Sequence, residues 1–370
     1  MFEFPIQVDI DITENCNFSC QYCSAANRKN IKDELTINQF KQIIDELYNM
    51  GTYSFNFAGG EPLLKEGIYD LIEYTLKKPF IDLTLVTNGS LLDSRLFSIA
   101  MNTSFHLVIS IDSFINSVND IYRESTDKVI KNIKILKNNE IPFSIAQVLT
   151  KKNIDFFEKN VNILKNNGIE DVLIIKYVSL LHKDHTDDNE IPYEQWKNFI
   201  EKITALKLEG KIRNYKLSVS CPWEIYLPML NLGYSLSDVS EIWGYSSPLM
   251  FYPYSNSYNT GCHAGITSCN IISNGDVYPC VISGENKKLL CGNIIKDDFK
   301  SIWKNSKVLN KLRNIKMKDI SEVCEKCKYV TLCGGGCRIR SFYKDEYSLT
   351  SRDFSCPYFM EGIVKWKILK

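Results

Sequence analysis

Residues 14–24 read ENCNFSCQYCS and place Cys16, Cys20 and Cys23 in the spacing C-x3-C-x2-C. Thiolates suit iron–sulfur ligation. A [4Fe–4S] cube has four iron corners, so three close-set cysteines hold three of them and leave one iron without a protein ligand. An iron left open in this way can bind and reduce a small molecule. The competing reading is a zinc knuckle or three unrelated buried thiols. Zinc sites usually take four nitrogen or sulfur ligands, often as paired C-x2-C units, and no histidine lies near this loop.

The triplet directly follows a strand pattern at Ile6–Ile12, and the pattern recurs at Tyr53–Phe57, Ile81–Thr87, His106–Ile111, Phe143–Leu149 and Val172–Tyr177. Amphipathic helical segments alternate with these strands. In Thr36–Met50, Ile37, Phe40, Ile43, Ile44 and Leu47 share one face, Thr36 and Gln39 form a capping box, and Gly51 marks the stop. Further helices read at Glu66–Lys78, Asp93–Ala100, Asp127–Asn138, Ile154–Asn167 and Glu194–Glu209. Repeated strand–helix units predict a parallel sheet with right-handed crossovers. Periodicity does not say whether that sheet is open or curved into a barrel.

Polar motifs stand at the strand ends. Gly59-Gly60-Glu61-Pro62 follows the second strand; glycines let backbone approach a ligand, and a carboxylate can receive an ammonium group. Thr87-Asn88-Gly89 ends the third strand and Ser110-Ile111-Asp112 the fourth, where side chains can meet ribose hydroxyls; Arg123 lies in DIYRES and Gln147 near the end of the fifth. Each also reads as turn chemistry or a surface ion pair. Together with the cysteine triplet and the aromatic Tyr22 before its last member, these motifs resemble the radical S-adenosylmethionine (AdoMet, or SAM) superfamily. The resemblance implies an α/β fold, a partial (β/α)6 TIM barrel with its active site at the carboxyl ends of the strands. It implies that the open iron chelates AdoMet, and that one electron then releases a 5′-deoxyadenosyl radical that abstracts hydrogen from a substrate. It also implies cofactor-binding roles for Tyr22, Gly59, Gly60, Glu61, Asn88, Ser110, Asp112, Arg123 and Gln147, with Glu61 on the AdoMet amino group and Arg123 on its carboxylate.

The chain carries thirteen cysteines, a density that in a cytosolic enzyme points to metal. Cys262 is followed by Gly275 and Cys280, then by Cys324-x2-Cys327-x5-Cys333-x3-Cys337 and Cys356. This pattern resembles the SPASM extension of the same superfamily, a small α+β cysteine-rich domain that holds two auxiliary clusters. The resemblance implies one auxiliary cluster on Cys262, Cys280 and Cys337 with Cys269, and a second on Cys324, Cys327, Cys333 and Cys356. Three [4Fe–4S] clusters are expected in all. Cys269 also reads as a buried strand thiol, which leaves the first auxiliary cluster with an open iron. Two zinc sites are the rival reading. Cys221 and Cys291 remain as structural thiols, and Gly334-Gly335-Gly336 reads as backbone NH groups approaching a cluster sulfur. We therefore expect a barrel over 1–213, an aromatic-rich bridge over 214–260 and the SPASM domain over 261–370.

Lys+Arg and Asp+Glu are both 44, with no long basic run, so no nucleic-acid partner is expected. No signal peptide or membrane span reads in the sequence, and a cytoplasmic location is expected. Relatives that resemble this chain mostly modify ribosomally made peptides by cross-linking or oxidation. Expected partners are a precursor peptide, recognised directly or through a separate leader-recognition protein, and an electron donor such as flavodoxin or ferredoxin. Sulfatase maturases carry an aspartate base directly after the second SPASM cysteine, and Val281 stands there. A formylglycine-generating maturase, a dehydrogenase of non-peptide substrates and a non-catalytic metal scaffold are the alternatives. Asp184 and His185, with His182, are acid/base candidates in a loop that also reads as solvated polar chain. Trp223, Tyr226, Trp243, Tyr245, Phe251 and Tyr252 line a peptide groove or pack beneath the auxiliary domain.

Overall fold

The computed structural model describes residues 2–23, 33–181, 184–244, 260–284 and 286–357. The chain divides into two compact units that do not follow chain order. One holds 1–148, 156–173 and 263–311; the other holds 149–155, 174–262 and 312–370.

In the first unit, β1 (Gln7–Thr13), β2 (Ser54–Gly59), β3 (Asp82–Thr87), β4 (Phe105–Ser110) and β5 (Ser144–Leu149) lie side by side in sequential order, and each adjoining pair is parallel. β6 (Val172–Lys176) begins beside β5, where the Ile145 N–H donates to the Asp171 carbonyl. Sequential parallel order with right-handed crossovers places every connecting helix on one face, the arrangement of a barrel rather than of a doubly wound sheet. The helix-facing positions Val8, Ile10, Phe55, Phe57, Leu83, Leu85 and Ile109 are all completely buried. The alternate positions carry Asp9, Asp11, Asn56, Thr84 and Ser110, so the opposite face is polar. There Asp9 Oδ1 accepts from Asn56 Nδ2 at 2.6 Å, and Asp11 Oδ2 accepts from Asn270 Nδ2 at 3.1 Å.

The helix Ile37–Met50 starts and stops as its sequence predicts. Thr36 and Gln39 bond reciprocally, and Gly51 closes the helix in the left-handed region at φ 112°. Asp93 likewise caps Ser94–Ala100, accepting the Leu96 N–H.

The first unit also takes in chain from the cysteine-rich half. β8 (Ser268–Ile271) pairs in parallel with β1, opposite Gln7–Ile10, and carries a short antiparallel extension through β9 (Asp276–Tyr278) to β10 (Gly292–Asn293).

The second unit, with β7 (Lys216–Ser218), is built on the helices Tyr193–Leu208, Trp223–Asn231 and Leu236–Trp243. Trp196, Tyr215, Trp223 and Tyr226 form much of its core. Pro228 lies inside the second helix and has no N–H to donate to the Glu224 carbonyl. The Trp196 indole N–H takes that carbonyl at 2.6 Å, so the helix passes the proline without a buried orphan. Trp223, Tyr226 and Trp243 are thus core residues here. Tyr245, Phe251 and Tyr252 lie outside the described residues.

Candidate AdoMet site and iron–sulfur ligands

The chain leaves β1 at Thr13 and enters the cysteine loop at once. β2 ends against the start of that loop: Gly60 N–H donates to the Thr13 carbonyl at 2.7 Å and Glu61 N–H to the Asn15 carbonyl at 2.8 Å. A Cβ on Gly60 would stand 2.2 Å from the Asn15 oxygen, so only glycine fits. The Glu61 side chain is completely buried. Its carboxylate accepts from Thr87 Oγ1 at 2.7 Å, the Asn88 N–H at 2.7 Å and the Leu63 N–H at 3.1 Å. Burial pushes its carboxyl upward against these bonds.

The third strand clasps the loop from the other side. Asn88 Nδ2 donates to Asn17 Oδ1 at 2.9 Å and lies 3.9 Å from Cys16 Sγ, while Asn17 Nδ2 donates to Ser90 Oγ at 2.9 Å. The sequence signals had not singled out Asn17 or Ser90; loop polar residues carry no periodicity.

The fourth strand meets Tyr22. Its hydroxyl donates to Asp112 Oδ2 at 2.5 Å, and its ring lies edge-on to Tyr122. Arg123 Nε stands 3.2 Å from the same carboxylate oxygen, with its guanidinium over the Tyr22 ring. Against the cost of burial, Asp112 keeps the guanidinium firmly charged. Gln147 Nε2 donates to the Asp112 carbonyl at 3.3 Å, and its buried Oε1 has no hydrogen-bond partner among the described residues. Ser110 ends β4 half-buried.

The thiols of the loop influence one another's ionisation. Burial pushes Cys16 up, and Glu61 and Cys23 add to it; burial pushes Cys20 up to about 11, with Arg123 opposing and Cys23 and Cys16 adding. Iron takes such thiols as thiolates, so loading the loop with metal would release their protons.

In the second unit the thiols fall into two neighbourhoods. Beyond the cost of burial, Cys333 feels Cys356 and Cys324, and Cys324 feels Cys327. Cys337 feels Cys262, and Cys221 feels Cys337. Cys324, Cys327, Cys333 and Cys356 are the residues named above for the second auxiliary cluster. Among the described residues no three His, Cys, Asp or Glu side chains gather as ligands of one metal ion would. A cube spreads its ligands over separate iron corners and makes no such demand.

The glycines between Cys333 and Cys337 serve chain packing. All three are left-handed, at φ 59°, 83° and 81°, and a Cβ on Gly336 would meet Asp353 at 2.4 Å. Cys269 is completely buried on β8 in register with Val8, and Cys280 Sγ lies 3.4 Å from Ser283 Oγ. Asp184 and His185 are exposed, and His182 lies outside the described residues.

Residues 10–153 match the family model of the radical SAM superfamily, and residues 262–328 match that of an iron–sulfur cluster-binding domain, SPASM. The chain is an enzyme of the radical SAM superfamily. Within it, this chain is one of the members that carry a SPASM region. An AdoMet-dependent heme synthase of Methanosarcina barkeri is 24% identical over 92% of this chain and 93% of the relative. The subtilosin biosynthesis protein AlbA of Bacillus subtilis is 23% identical over 94% and 70%, and the mycofactocin maturase MftC of Mycolicibacterium smegmatis 25% over 92% and 79%. Among solved structures, Streptococcus suis SuiB bound to its precursor peptide SuiA superposes with a TM-score of 0.76 at 22% identity, over 96% of this chain and 76% of that one. The enzyme anSMEcpe with bound AdoMet and Cp18Cys peptide gives 0.69 at 22%, over 96% and 95%. The fold is therefore the parallel α/β core of a radical SAM partial barrel with a C-terminal SPASM region. The family implies AdoMet and a [4Fe–4S] cluster, and no described helix is long and apolar enough to cross a membrane.

Proposed function

We propose that this enzyme matures a ribosomally made precursor peptide by hydrogen abstraction followed by cross-linking or oxidation. The chemistry is supported by Asn88 Nδ2 at 3.9 Å from Cys16 Sγ and by Tyr22 of the same loop, bonded to Asp112 beside Arg123. Cys16, Cys20 and Cys23 would hold the AdoMet-binding cluster. When bound, AdoMet supplies a carbon radical able to take hydrogen from an unactivated C–H bond. Arg123 offers a buried cation for its carboxylate, the Gly59–Glu61 backbone and side chain would receive its amino group, and Asn88, Ser110, Asp112 and Gln147 would meet the rest of the molecule.

Two auxiliary clusters, on Cys262, Cys280, Cys337 with Cys269 and on Cys324, Cys327, Cys333 and Cys356, would carry away the second electron of an oxidative product. Peptide as substrate is supported by the maturase relatives AlbA and MftC. Exposed Val281, with no proton-accepting atom, stands against formylglycine formation. The heme synthase at similar identity favours a second reading, oxidation of a non-peptide substrate such as a porphyrin carboxylate.

The test is mass spectrometry after incubating reduced enzyme and AdoMet with a short peptide encoded beside its gene, with a sulfatase-derived Cys peptide, and with a porphyrin carboxylate. Loss of two hydrogens from the first, with a new bond located by fragmentation, supports the proposal. A formylglycine mass change at comparable rate, or turnover of the porphyrin alone, overturns it.

A further inference from the structure

Behind Cys337 lies a buried charge network that no step of the proposed reaction uses. Asp353 is 3% exposed and is held by Arg340 through two contacts, Nε to Oδ1 at 3.0 Å and Nη2 to Oδ2 at 2.5 Å. Arg340 Nη1 also reaches Glu224 Oε1 at 3.2 Å, and Lys176 Nζ meets the same oxygen at 2.6 Å. Two cations thus face two anions, a balance that a dry interior requires.

The pair touches chain on both sides. Asp353 Oδ2 accepts the Cys337 N–H at 3.1 Å, and the Arg340 N–H lies 3.4 Å from Cys337 Sγ. The Asp353 backbone carbonyl accepts the Cys356 N–H at 3.1 Å. Asp353 therefore bonds one expected ligand of each auxiliary cluster, Cys337 through its carboxylate and Cys356 through its backbone carbonyl. Cys221 completes the setting, with its Sγ 3.6 Å from Asp353 Oδ2 and 3.4 Å from Arg340 Nη2.

We propose that the Arg340–Asp353 pair is a shared positioning device for the two auxiliary clusters, setting the field at Cys337 and the placement of Cys356 together. This rests on the ligand reading above. Reducing a cube adds negative charge, and charges in a buried site act with little screening. Removing the carboxylate makes reduction easier, and removing the guanidinium makes it harder. The larger effect falls on the cluster of Cys337, whose N–H bonds to the Asp353 carboxylate itself.

The test is a redox titration of reconstituted holoenzyme followed by electron paramagnetic resonance, with iron counted in each sample. Asp353→Asn should move the auxiliary midpoints upward and Arg340→Gln downward, while the AdoMet cluster keeps its midpoint and peptide-free 5′-deoxyadenosine formation persists. A merely structural role would move both variants the same way. Same-direction shifts, or none, in an enzyme whose wild type holds three cubes overturn this inference alone. Wild type with iron for the AdoMet cluster only overturns the ligand reading and this inference with it. Where a single variant does not fold, the double variant, which leaves no unpaired buried ion at the pair, should change the auxiliary signals and spare that of the AdoMet cluster. Auxiliary signals identical to wild type in the double variant overturn the proposal.

Discussion

The Tyr22 hydroxyl donates to the Asp112 carboxylate at 2.5 Å, tying the cysteine loop after β1 to the end of β4. The bond spans ninety residues of sequence, and Cys20 of the same loop lies within the field of Arg123. Asp112 also accepts the Val148 N–H at 3.0 Å, so a single carboxylate joins the loop, β4 and β5.

Tyr22→Phe should keep the ring contact with Tyr122 and lose the hydroxyl's bond to a charged acceptor. The expected cost is about 1.5–3 kcal/mol of stability. Chemical denaturation of the reconstituted protein checks this, with iron content staying near wild type. A variant as stable as wild type would show that the Tyr22–Asp112 bond does not anchor the loop.

Glu61→Gln puts an NH2 group where a carboxylate oxygen now accepts from buried donors, and it removes the charge expected to meet the AdoMet amino group. AdoMet affinity should fall by tenfold or more, about 1.4 kcal/mol or greater. Equilibrium binding of AdoMet to the anaerobic enzyme measures it. Unchanged affinity would mean that Gly59-Gly60-Glu61-Pro62 is only a turn.

Asp9 gives a pH dependence. Burial, partly offset by the Asn56 hydrogen bond and reinforced by Asp11, raises its carboxyl from 3.8 to about 6. The unfolded chain loses this proton near pH 4 and the folded chain holds it to about 6. Stability is therefore greatest below the unfolded value and falls as pH rises through this window. Thermal unfolding should show a higher midpoint at pH 5.5 than at pH 7.5 from this group. Asp9→Asn should raise the midpoint at pH 7.5 and flatten that difference; a variant with the wild-type slope would remove Asp9 as its source.

Much of this barrel could be read before any coordinates. The strand patterns from Ile6 to Tyr177 each fall on an observed strand, and the capping box at Thr36 and Gln39 sits where its residues indicate, because period and cap are local signals. Pairing of β8 with β1 is not local. Val8 and Cys269 stand opposite one another across most of the chain, and nothing in either segment names the other. The helix Trp223–Asn231 was hidden by Pro228, whose missing hydrogen bond is made good by Trp196 from another helix. The burial of Glu61 was equally illegible, since a GGEP turn reads as exposed until Thr87 and Asn88 close over it.

On the proposed function, Cys16, Cys20 and Cys23 hold a cluster with an open iron that cleaves AdoMet. The most direct test of this is the yield of 5′-deoxyadenosine and methionine from AdoMet and dithionite, without peptide, in wild type and in the variant with all three cysteines changed to alanine. Reconstituted wild type should bind about twelve iron, as three cubes require, and form both products. The variant should keep about two-thirds of that iron and form neither. Product from the variant, or none from iron-loaded wild type, would contradict the account.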